Sequence, residues 1–419
     1  MSQPAAIGPA VHEFLTEEAS GRPGDDPIFA LDAEANRRAR AGESILNATL
    51  GALMEDDGRL AILPGVVETL AAVPAEQAAA YAPISGDAGF LQAVIADLYG
   101  QGPLAAQSVA AATPGGTGAL HHAIVNTLDP GQALLTSHFF WGPYRSLAVH
   151  TRRRVETFPM FGTDGGFAVD ALEEALARLM SRQGRALVVL NSPCHNPTGY
   201  SLDGREWRAT TEVLRRAARH GPVTLCVDLA YARFAAGDRN AWVAEVQPAL
   251  GEVLLLAAWT ASKSFAQYGA RVGALVATHP DPAQRNRIAA ALAFSCRGTW
   301  SNCNHAGLLA VQRLLSEPAL AARVDGERER LRRLLAARVD AFNSAARAAG
   351  LSYPRYEGGF FVTVFCADAD AAARRMRELG VYIVPIPGGL RVALCSTPVA
   401  DVPRLVAALR DACAAVASS

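Results

Sequence analysis

The sequence is short of lysine, although it is not short of positive charge. Lysine and arginine together number 39 among 419 residues, and only one of them, Lys263, is a lysine. Positive and negative charges nearly cancel to a formal net charge of -1, so no global field draws the chain to nucleic acid or to an anionic membrane. We therefore expect neither kind of partner, and a local site has to bind any anionic ligand.

Cysteine pairs and long apolar runs are also missing. The seven cysteines are scattered, and none forms a Cys-x-x-Cys pair, which argues against a disulfide framework and against a zinc site. We therefore expect no metal and reduced thiols. No apolar run is long enough to cross a bilayer, and residues 1–26 show no basic segment followed by an apolar core. The expected location is cytoplasmic.

Short apolar runs and longer amphipathic stretches alternate from Gly115 onward. The runs, rich in β-branched residues, indicate strands, and the stretches between them indicate helices. The pattern predicts βαβ units in a mostly parallel sheet that helices cover on both faces. The predicted strands are Ala133–Thr136, Arg154–Phe158, Ala186–Leu190, Val223–Val227, Val253–Ala257 and Val272–Ala277. The predicted helices between them include Gly118–Leu128, Leu172–Arg182 and Glu206–Arg219.

The pattern changes after Glu317. One long charged helix, Leu320–Ala349, precedes short strand-like segments, which predicts a smaller α+β domain. These segments are Phe360–Phe365, Tyr382–Pro385 and Leu390–Leu394. The predicted division is an N-terminal arm with part of the small domain over 1–60, a large domain over 61–316 and a small C-terminal domain over 317–419.

Polar residues follow the predicted strands at the edge where open α/β sheets bind ligands. Lys263 follows one strand, after Thr260 and Ser262, and precedes Arg271. A lysine becomes a Schiff-base nucleophile when its pKa is lowered, and hydroxyls with an arginine suit a phosphate monoester. The alternative, a surface lysine in a loop, is weakened because this is the only lysine in an arginine-rich chain.

Asp228, at the end of another predicted strand, has two interpretations. It is either a structural cap or a buried carboxylate that holds a cationic partner. Against a pyridine nitrogen it would keep the nitrogen protonated, so that the ring acts as an electron sink. Tyr231 and Asn196 can donate hydrogen bonds to a phenolic oxygen on such a ring. A glycine-rich turn at 115–118 opens a helix and can bind a phosphate, although such turns are often only structural.

This ordered set of motifs resembles the class I, fold-type I aminotransferases, and within them the aspartate and aromatic amino acid aminotransferases. The resemblance runs from about Leu46 to Leu409. It implies pyridoxal 5′-phosphate as the cofactor and a homodimer with shared active sites. The implied fold is α/β, that of a fold-type I transferase: a large domain with a mostly parallel mixed sheet covered by helices, plus a smaller α+β domain.

The resemblance implies a role for each matching residue. Lys263, Asp228 and Tyr231 are the implied catalytic residues, with Lys263 holding the cofactor and later moving a proton. The implied cofactor-binding residues are these three with Gly116, Thr117, Trp141, Asn196, Thr260, Ser262, Arg271 and, from a second subunit, Tyr81. The implied substrate-binding residues are Gly51, Trp141, Asn196, Arg297 and Arg391.

The two arginines bear on the substrate. Arg391 matches the clamp for the α-carboxylate, and Arg297 matches the arginine that reaches across the dimer to a distal carboxylate. The alternative for Arg297 is a helix-end arginine paired with a surface acid. His195 we interpret as a structural, packed histidine.

Three segments depart from the family pattern. Tyr144 stands near the stacking tryptophan where relatives have a histidine, Cys303 and Asn304 replace prolines, and the segment 50–53 replaces the usual substrate loop.

The leading functional hypothesis is a ping-pong transfer of an amino group between an L-amino acid, dicarboxylic or aromatic, and a 2-oxo acid. A lyase, performing β- or γ-elimination or decarboxylation with the same cofactor, is the alternative, because the changed loops influence which bond breaks. A third hypothesis is an aminotransferase-like effector domain of a regulator. Such proteins normally carry a DNA-binding module, and neither the short N-terminal arm nor the near-neutral charge indicates one.

Overall fold

A computed structural model describes residues 14–22, 24 and 27–417. The part of the predicted N-terminal arm at 1–13 lies outside the described residues. In the described part the α-helices are α1 (Glu17–Ser20), α2 (Pro27–Arg40), α3 (Pro64–Ala71), α4 (Ala75–Ala79), α5 (Ala88–Tyr99), α6 (Pro103–Ala106), α7 (Gly115–Thr127), α8 (Pro143–His150), α9 (Val169–Gln183), α10 (Gly204–Ala218), α11 (Trp242–Val246), α12 (Ala261–Ser264), α13 (Pro282–Gly298), α14 (His305–Ser316), α15 (Pro318–Ala348), α16 (Ala369–Glu378) and α17 (Val402–Ala417). The strands are β1 (Leu46–Asn47), β2 (Ser108–Thr113), β3 (Ala133–Ser137), β4 (Arg154–Phe158), β5 (Ala186–Asn191), β6 (Val223–Asp228), β7 (Val253–Thr260), β8 (Gly273–Thr278), β9 (Phe361–Phe365), β10 (Val381–Tyr382), β11 (Val384–Ile386) and β12 (Gly389–Ala393).

A seven-stranded sheet forms the centre of the larger part of the molecule. Its order is β2-β8-β7-β6-β5-β3-β4, and β8 runs antiparallel to both of its neighbours while the other pairs are parallel. Every residue of β3, β5, β6 and β8 is buried, so these strands carry no alternation of apolar and polar residues. That is the pattern of a sheet covered on both faces by helices.

The covering helices follow local sequence signals. In α10, Asp203 accepts hydrogen bonds from the backbone N–H groups of Arg205 and Glu206, and the Glu206 carboxylate accepts one in return from the Asp203 N–H. This capping box satisfies N–H groups that a helix start leaves without partners. Trp207 and Leu214 then fall on the buried face, at a helical spacing.

Two smaller sheets lie outside the large one. An antiparallel sheet has the order β11-β12-β9, and β1 pairs in parallel with β10. The N-terminal helix α2 is attached to the same region, because Arg38 donates hydrogen bonds to the Arg377 carbonyl and to the Tyr382 hydroxyl. The helix α15, with 31 residues, connects this part to the rest of the chain.

The predicted fold class is confirmed: a mostly parallel mixed sheet covered by helices is joined to a smaller α+β part. The six predicted strands of the large sheet all exist, with ends that differ by up to three residues. The alanine-rich strand β2 was not predicted, because its pattern resembles a helix. The predicted strand Tyr382–Pro385 is in fact divided between β10 and β11, which belong to different sheets. The domain boundaries after residues 60 and 316 stay predictions.

In the part of the chain that the structure describes, no helix is both long enough and apolar enough to cross a membrane.

Candidate active site

Three adjacent parallel strands bring polar side chains to one edge of the large sheet. Asn191 ends β5 and pairs in register with Asp228, which ends β6. The Asn191 amide donates a hydrogen bond to the Asp228 carbonyl at 2.8 Å, and its oxygen accepts one from the Asn196 N–H at 2.7 Å. Asn191 thereby fixes the loop after β5 against the end of β6.

The Asp228 carboxylate is buried, and both of its oxygens accept hydrogen bonds. The Tyr144 hydroxyl donates to Oδ2 at 2.7 Å, and the Ala230 N–H donates to Oδ1 at 3.1 Å. Burial raises the pKa of Asp228, while the Tyr144 and Ala230 bonds and the Lys263 charge oppose that rise. A cation placed against this carboxylate would favour its ionised form further.

Lys263 lies on the short helix α12, which begins after β7. Thr260 caps this helix, since its hydroxyl accepts a hydrogen bond from the Ser262 N–H. The Lys263 Nζ atom lies 5.6 Å from the centre of the Tyr231 ring and 5.7 Å from that of Tyr268. Burial lowers the pKa of Lys263, and the Arg271 charge lowers it further, against the opposing effect of Asp228. A lysine with a lowered pKa has more of the neutral, nucleophilic amine.

Tyr231 and Asn196 form a second polar pair next to the lysine. The Asn196 amide donates a hydrogen bond to the Tyr231 hydroxyl at 3.2 Å, and both residues are buried. Burial raises the pKa of Tyr231, which therefore keeps its proton at neutral pH. A protonated phenol can donate a hydrogen bond to an anionic oxygen.

The glycine-rich turn forms the start of α7, a helix of 13 residues. The Arg271 guanidinium lies beside it and donates hydrogen bonds to the carbonyls of Pro114, at 3.2 Å, and Tyr268, at 2.9 Å. Gly115 has a φ of +73°, and a Cβ atom there would lie 2.7 Å from Arg271 Nη2. The close approach requires glycine. It leaves a helix N-terminus and a guanidinium side by side, which is a favourable place for a phosphate.

Hydroxyl groups lie on the other side of that turn. The Thr260 hydroxyl donates to Ser262 Oγ at 3.0 Å, and a Cβ atom on Gly116 would lie 3.5 Å from Thr260 Cβ. Thr117 follows on the first turn of α7. The predicted phosphate-binding residues of one chain therefore come together.

A cleft of about 460 Å³ adjoins this site. Arg391, on β12, lines it; this arginine is buried, donates a hydrogen bond to the Thr49 carbonyl at 2.6 Å and lies 4.6 Å from the centre of the Phe361 ring. Gly51 packs on the same ring, since a Cβ atom there would lie 2.4 Å from Phe361 Cζ. Trp141 and Asn196 also line the cleft.

Two predicted residues lie away from these groups in the single chain. Tyr81 is 89% exposed, and Arg297 is exposed at the end of α13, where it donates a hydrogen bond to Ser301 at 2.6 Å. Their role across a dimer interface stays a prediction. His195 is buried and shares a hydrogen bond of 2.8 Å with Thr198, and burial lowers its pKa to about 3.

Sequence reasoning missed three contacts of the site. Tyr144 was singled out as a departure, but its hydrogen bond to Asp228 was not foreseen. Tyr268 lies five positions after Lys263, and its hydroxyl accepts a hydrogen bond from the Leu53 N–H at 2.9 Å. A tyrosine so close to the lysine was a usable signal. Phe361 gave none, because only tertiary packing places it under Arg391.

Residues 47–409 match the sequence profile of the family described as aminotransferase class I and II. The chain is 30% identical to a tyrosine aminotransferase of Klebsiella pneumoniae over 88% of this chain and 93% of that one. It is 28% identical to an aspartate aminotransferase of Pseudomonas aeruginosa over 86% of this chain and 90% of the other.

Solved structures show the same similarity. A crystal structure of an aminotransferase from Anaerococcus prevotii superposes with a TM-score of 0.89, at 32% identity, over 96% of this chain and 99% of that one. An aromatic amino acid aminotransferase from Burkholderia pseudomallei, covalently bound to pyridoxal phosphate, superposes with a TM-score of 0.79 at 26% identity, over 95% and 100% of the two chains.

Proposed function

The chain belongs to the class I and II aminotransferase family and is a pyridoxal 5′-phosphate enzyme, and on this basis we propose that it transfers an amino group between a dicarboxylic or aromatic L-amino acid and a 2-oxo acid. The relatives named for tyrosine, aspartate and aromatic amino acids support these substrate classes. The observation that carries the proposal is one arrangement: the only lysine of the chain lies beside a buried carboxylate, a phenol and an anion-binding turn.

The residues present fit the cofactor. Its phosphate would be held at the start of α7 by Gly116, Thr117, Thr260, Ser262 and Arg271, where the helix N-terminus and the guanidinium favour an anion.

The remaining polar groups fit the cofactor ring. Asp228 would pair with its pyridine nitrogen, Tyr231 and Asn196 would bind its phenolic oxygen, Trp141 would stack on the ring, and Lys263 would bind the aldehyde. When bound, pyridoxal phosphate supplies an electron sink for negative charge at the substrate Cα.

The chain's own residues then orient the substrate and move a proton. Arg391, held by the Thr49 carbonyl and the Phe361 ring, binds the α-carboxylate with its planar guanidinium. The Lys263 amine, with its lowered pKa, removes the proton from the substrate Cα. Asp228 keeps a negative charge at the opposite end of the site, sustained by the hydrogen bonds from Tyr144 and Ala230.

The proposed assembly is a homodimer with shared active sites. The exposed ring of Tyr81 and the exposed guanidinium of Arg297 support it, because in related enzymes the matching residues act across the interface. The amino acid and the 2-oxo acid are the small-molecule partners.

An absorbance titration of the purified enzyme with single amino acids tests the function. Glutamate, aspartate and aromatic amino acids should each convert the cofactor to pyridoxamine phosphate, and a 2-oxo acid should restore the original band. If no amino acid produces the amine form, the proposal is wrong. Release of ammonia or pyruvate without a 2-oxo acid would instead support the lyase alternative.

A further inference from the structure

The cleft beside the cofactor site is lined by one arginine that neither the cofactor nor the α-carboxylate uses. Arg145 lines it together with Arg391, the arginine proposed for the α-carboxylate. Among the described residues, no aspartate or glutamate lines the cleft. A second anionic group on the substrate would therefore meet no carboxylate in the lining of the cleft. The Arg145 guanidinium would be available to bind it.

Arg145 lies on the first turn of α8, one residue after Tyr144. Its guanidinium carbon is 5.5 Å from the centre of the Phe140 ring, and its side chain is exposed. In the described part of the chain it has no carboxylate partner, whereas many other arginines of this chain form ion pairs. Stacking on the ring holds the planar group in place and leaves its N–H donors open to a carboxylate.

Most of the other residues that line the cleft are apolar. Phe139, Trp141, Val384 and Ile386 are among them, so the methylene groups of a dicarboxylic side chain would contact apolar surface. Arg297 of the same chain does not line this cleft.

We propose that Arg145 is a specificity-determining residue. It binds the distal carboxylate of a dicarboxylic substrate, the role that the resemblance implies for Arg297, while Arg391 binds the α-carboxylate. This inference rests on the proposed function and refines its substrate class. An aromatic side chain does not need Arg145, because it packs against the rings of Phe139 and Phe140 in the same cleft.

Single-turnover half-reactions of the holoenzyme test the proposal, since they involve one amino acid and no 2-oxo acid. The variant Arg145→Met keeps the aliphatic stem on Phe140 and removes the charge. We expect its rate constant divided by the apparent dissociation constant to fall by roughly tenfold or more with glutamate, because a charged hydrogen bond is lost. With phenylalanine the same ratio should stay within about twofold.

Two further variants sharpen the test. Arg145→Lys retains a point charge without the bidentate fork and should lie between the wild type and Arg145→Met. Arg154→Met removes another exposed arginine, on β4 and outside the cleft, and should react as the wild type does with both amino acids. An unchanged glutamate reaction in Arg145→Met, or an equal loss with both amino acids, overturns the proposal.

A binding measurement separates this inference from the proposed function. Calorimetry of the holoenzyme with succinate and with butyrate compares a dicarboxylate with a monocarboxylate without any turnover. Arg145→Met should weaken succinate binding and leave butyrate binding unchanged. If no amino acid reacts with the wild type, the proposed function fails, and the succinate measurement still decides the role of Arg145.

Discussion

The candidate active site has two halves that differ in how they are held. The cofactor half, formed by Asn196, Asp228, Tyr231 and Lys263, lies at the ends of adjacent strands. Asn196 bonds to Tyr231 there, and the Asp228 carboxylate accepts hydrogen bonds from Tyr144 and Ala230. The substrate half combines buried Arg391 with groups that are exposed in the single chain, notably Arg145 and Arg297.

The difference shows which parts of the fold position the cofactor-binding residues and which position the substrate-binding residues. Rigid strand ends place the cofactor half, because neighbouring parallel strands share one carboxyl edge. Helix ends place Arg145 and Arg297, and such segments vary without disturbing the sheet. We therefore expect changes in the cofactor half to affect all substrates and changes in the substrate half to affect some.

The largest effect is expected at Lys263. Lys263→Ala removes both the anchor of the cofactor and the proposed proton carrier, so turnover should fall by roughly a thousandfold or more with every amino acid. Because the chain has one lysine, borohydride reduction of the wild type should attach the cofactor to a single peptide, identified by mass spectrometry. Lys263→Arg keeps the charge and should also lose the attachment. Attachment in either variant would contradict the assignment.

A smaller and pH-dependent effect is expected at Tyr144. Tyr144→Phe removes a hydrogen bond that holds the pKa of Asp228 down, so this pKa should rise. The ionised carboxylate then persists only at higher pH, and the acid limb of the kcat profile should move upward in pH. At its optimum the variant should lose roughly tenfold to a hundredfold, as for other hydrogen bonds to charged groups.

Tyr99→Phe is the matched control for Tyr144. It removes the phenol that accepts a hydrogen bond from Thr278 at 3.1 Å, outside the cofactor half. The acid limb of the kcat profile of Tyr99→Phe should coincide with that of the wild type. If Tyr144→Phe also leaves the acid limb in place, the phenol does not govern the charge of Asp228.

Arg271 should affect the retention of the cofactor more than the choice of substrate. Arg271→Met removes a proposed phosphate ligand, so the cofactor should dissociate roughly tenfold more readily in dialysis against cofactor-free buffer. Arg285→Met is a suitable control, because Arg285 also donates to two backbone carbonyls, those of His279 and Pro280, but lies outside the site. Equal cofactor loss from both variants would exclude a specific role for Arg271.

The smallest effect is expected at Tyr81. If the chain forms a dimer in which Tyr81 binds the partner's cofactor phosphate, Tyr81→Phe should weaken cofactor binding a few-fold, as for one exchanged hydrogen bond. Sedimentation analysis should show a dimer for both proteins. A monomer that is fully active would remove the basis for this role and for that of Arg297 across the interface.

Many features of the cofactor half were predictable from local sequence. Lys263 and Asp228 each follow a continuous apolar run, and such runs define strands from a few neighbouring residues. The segment 382–385 shows the limit of this reasoning, because a uniform apolar run gave no sign that its two ends join different sheets. Strand β2 shows another limit, since its alanines fit a helix as well as a buried strand.

The sequence by itself determined which strand ends carry polar side chains, because strands are recognised from residues close together in the chain. It also determined that Lys263 is the one lysine side chain. Only the tertiary structure decided that Tyr144 bonds to Asp228, 84 positions away, and that Thr49 fixes Arg391 across 342 positions. It also decided that Arg145 and Arg391 share one cleft. Such contacts depend on how helices and sheets pack, and no local pattern encodes the distance between residues on different elements.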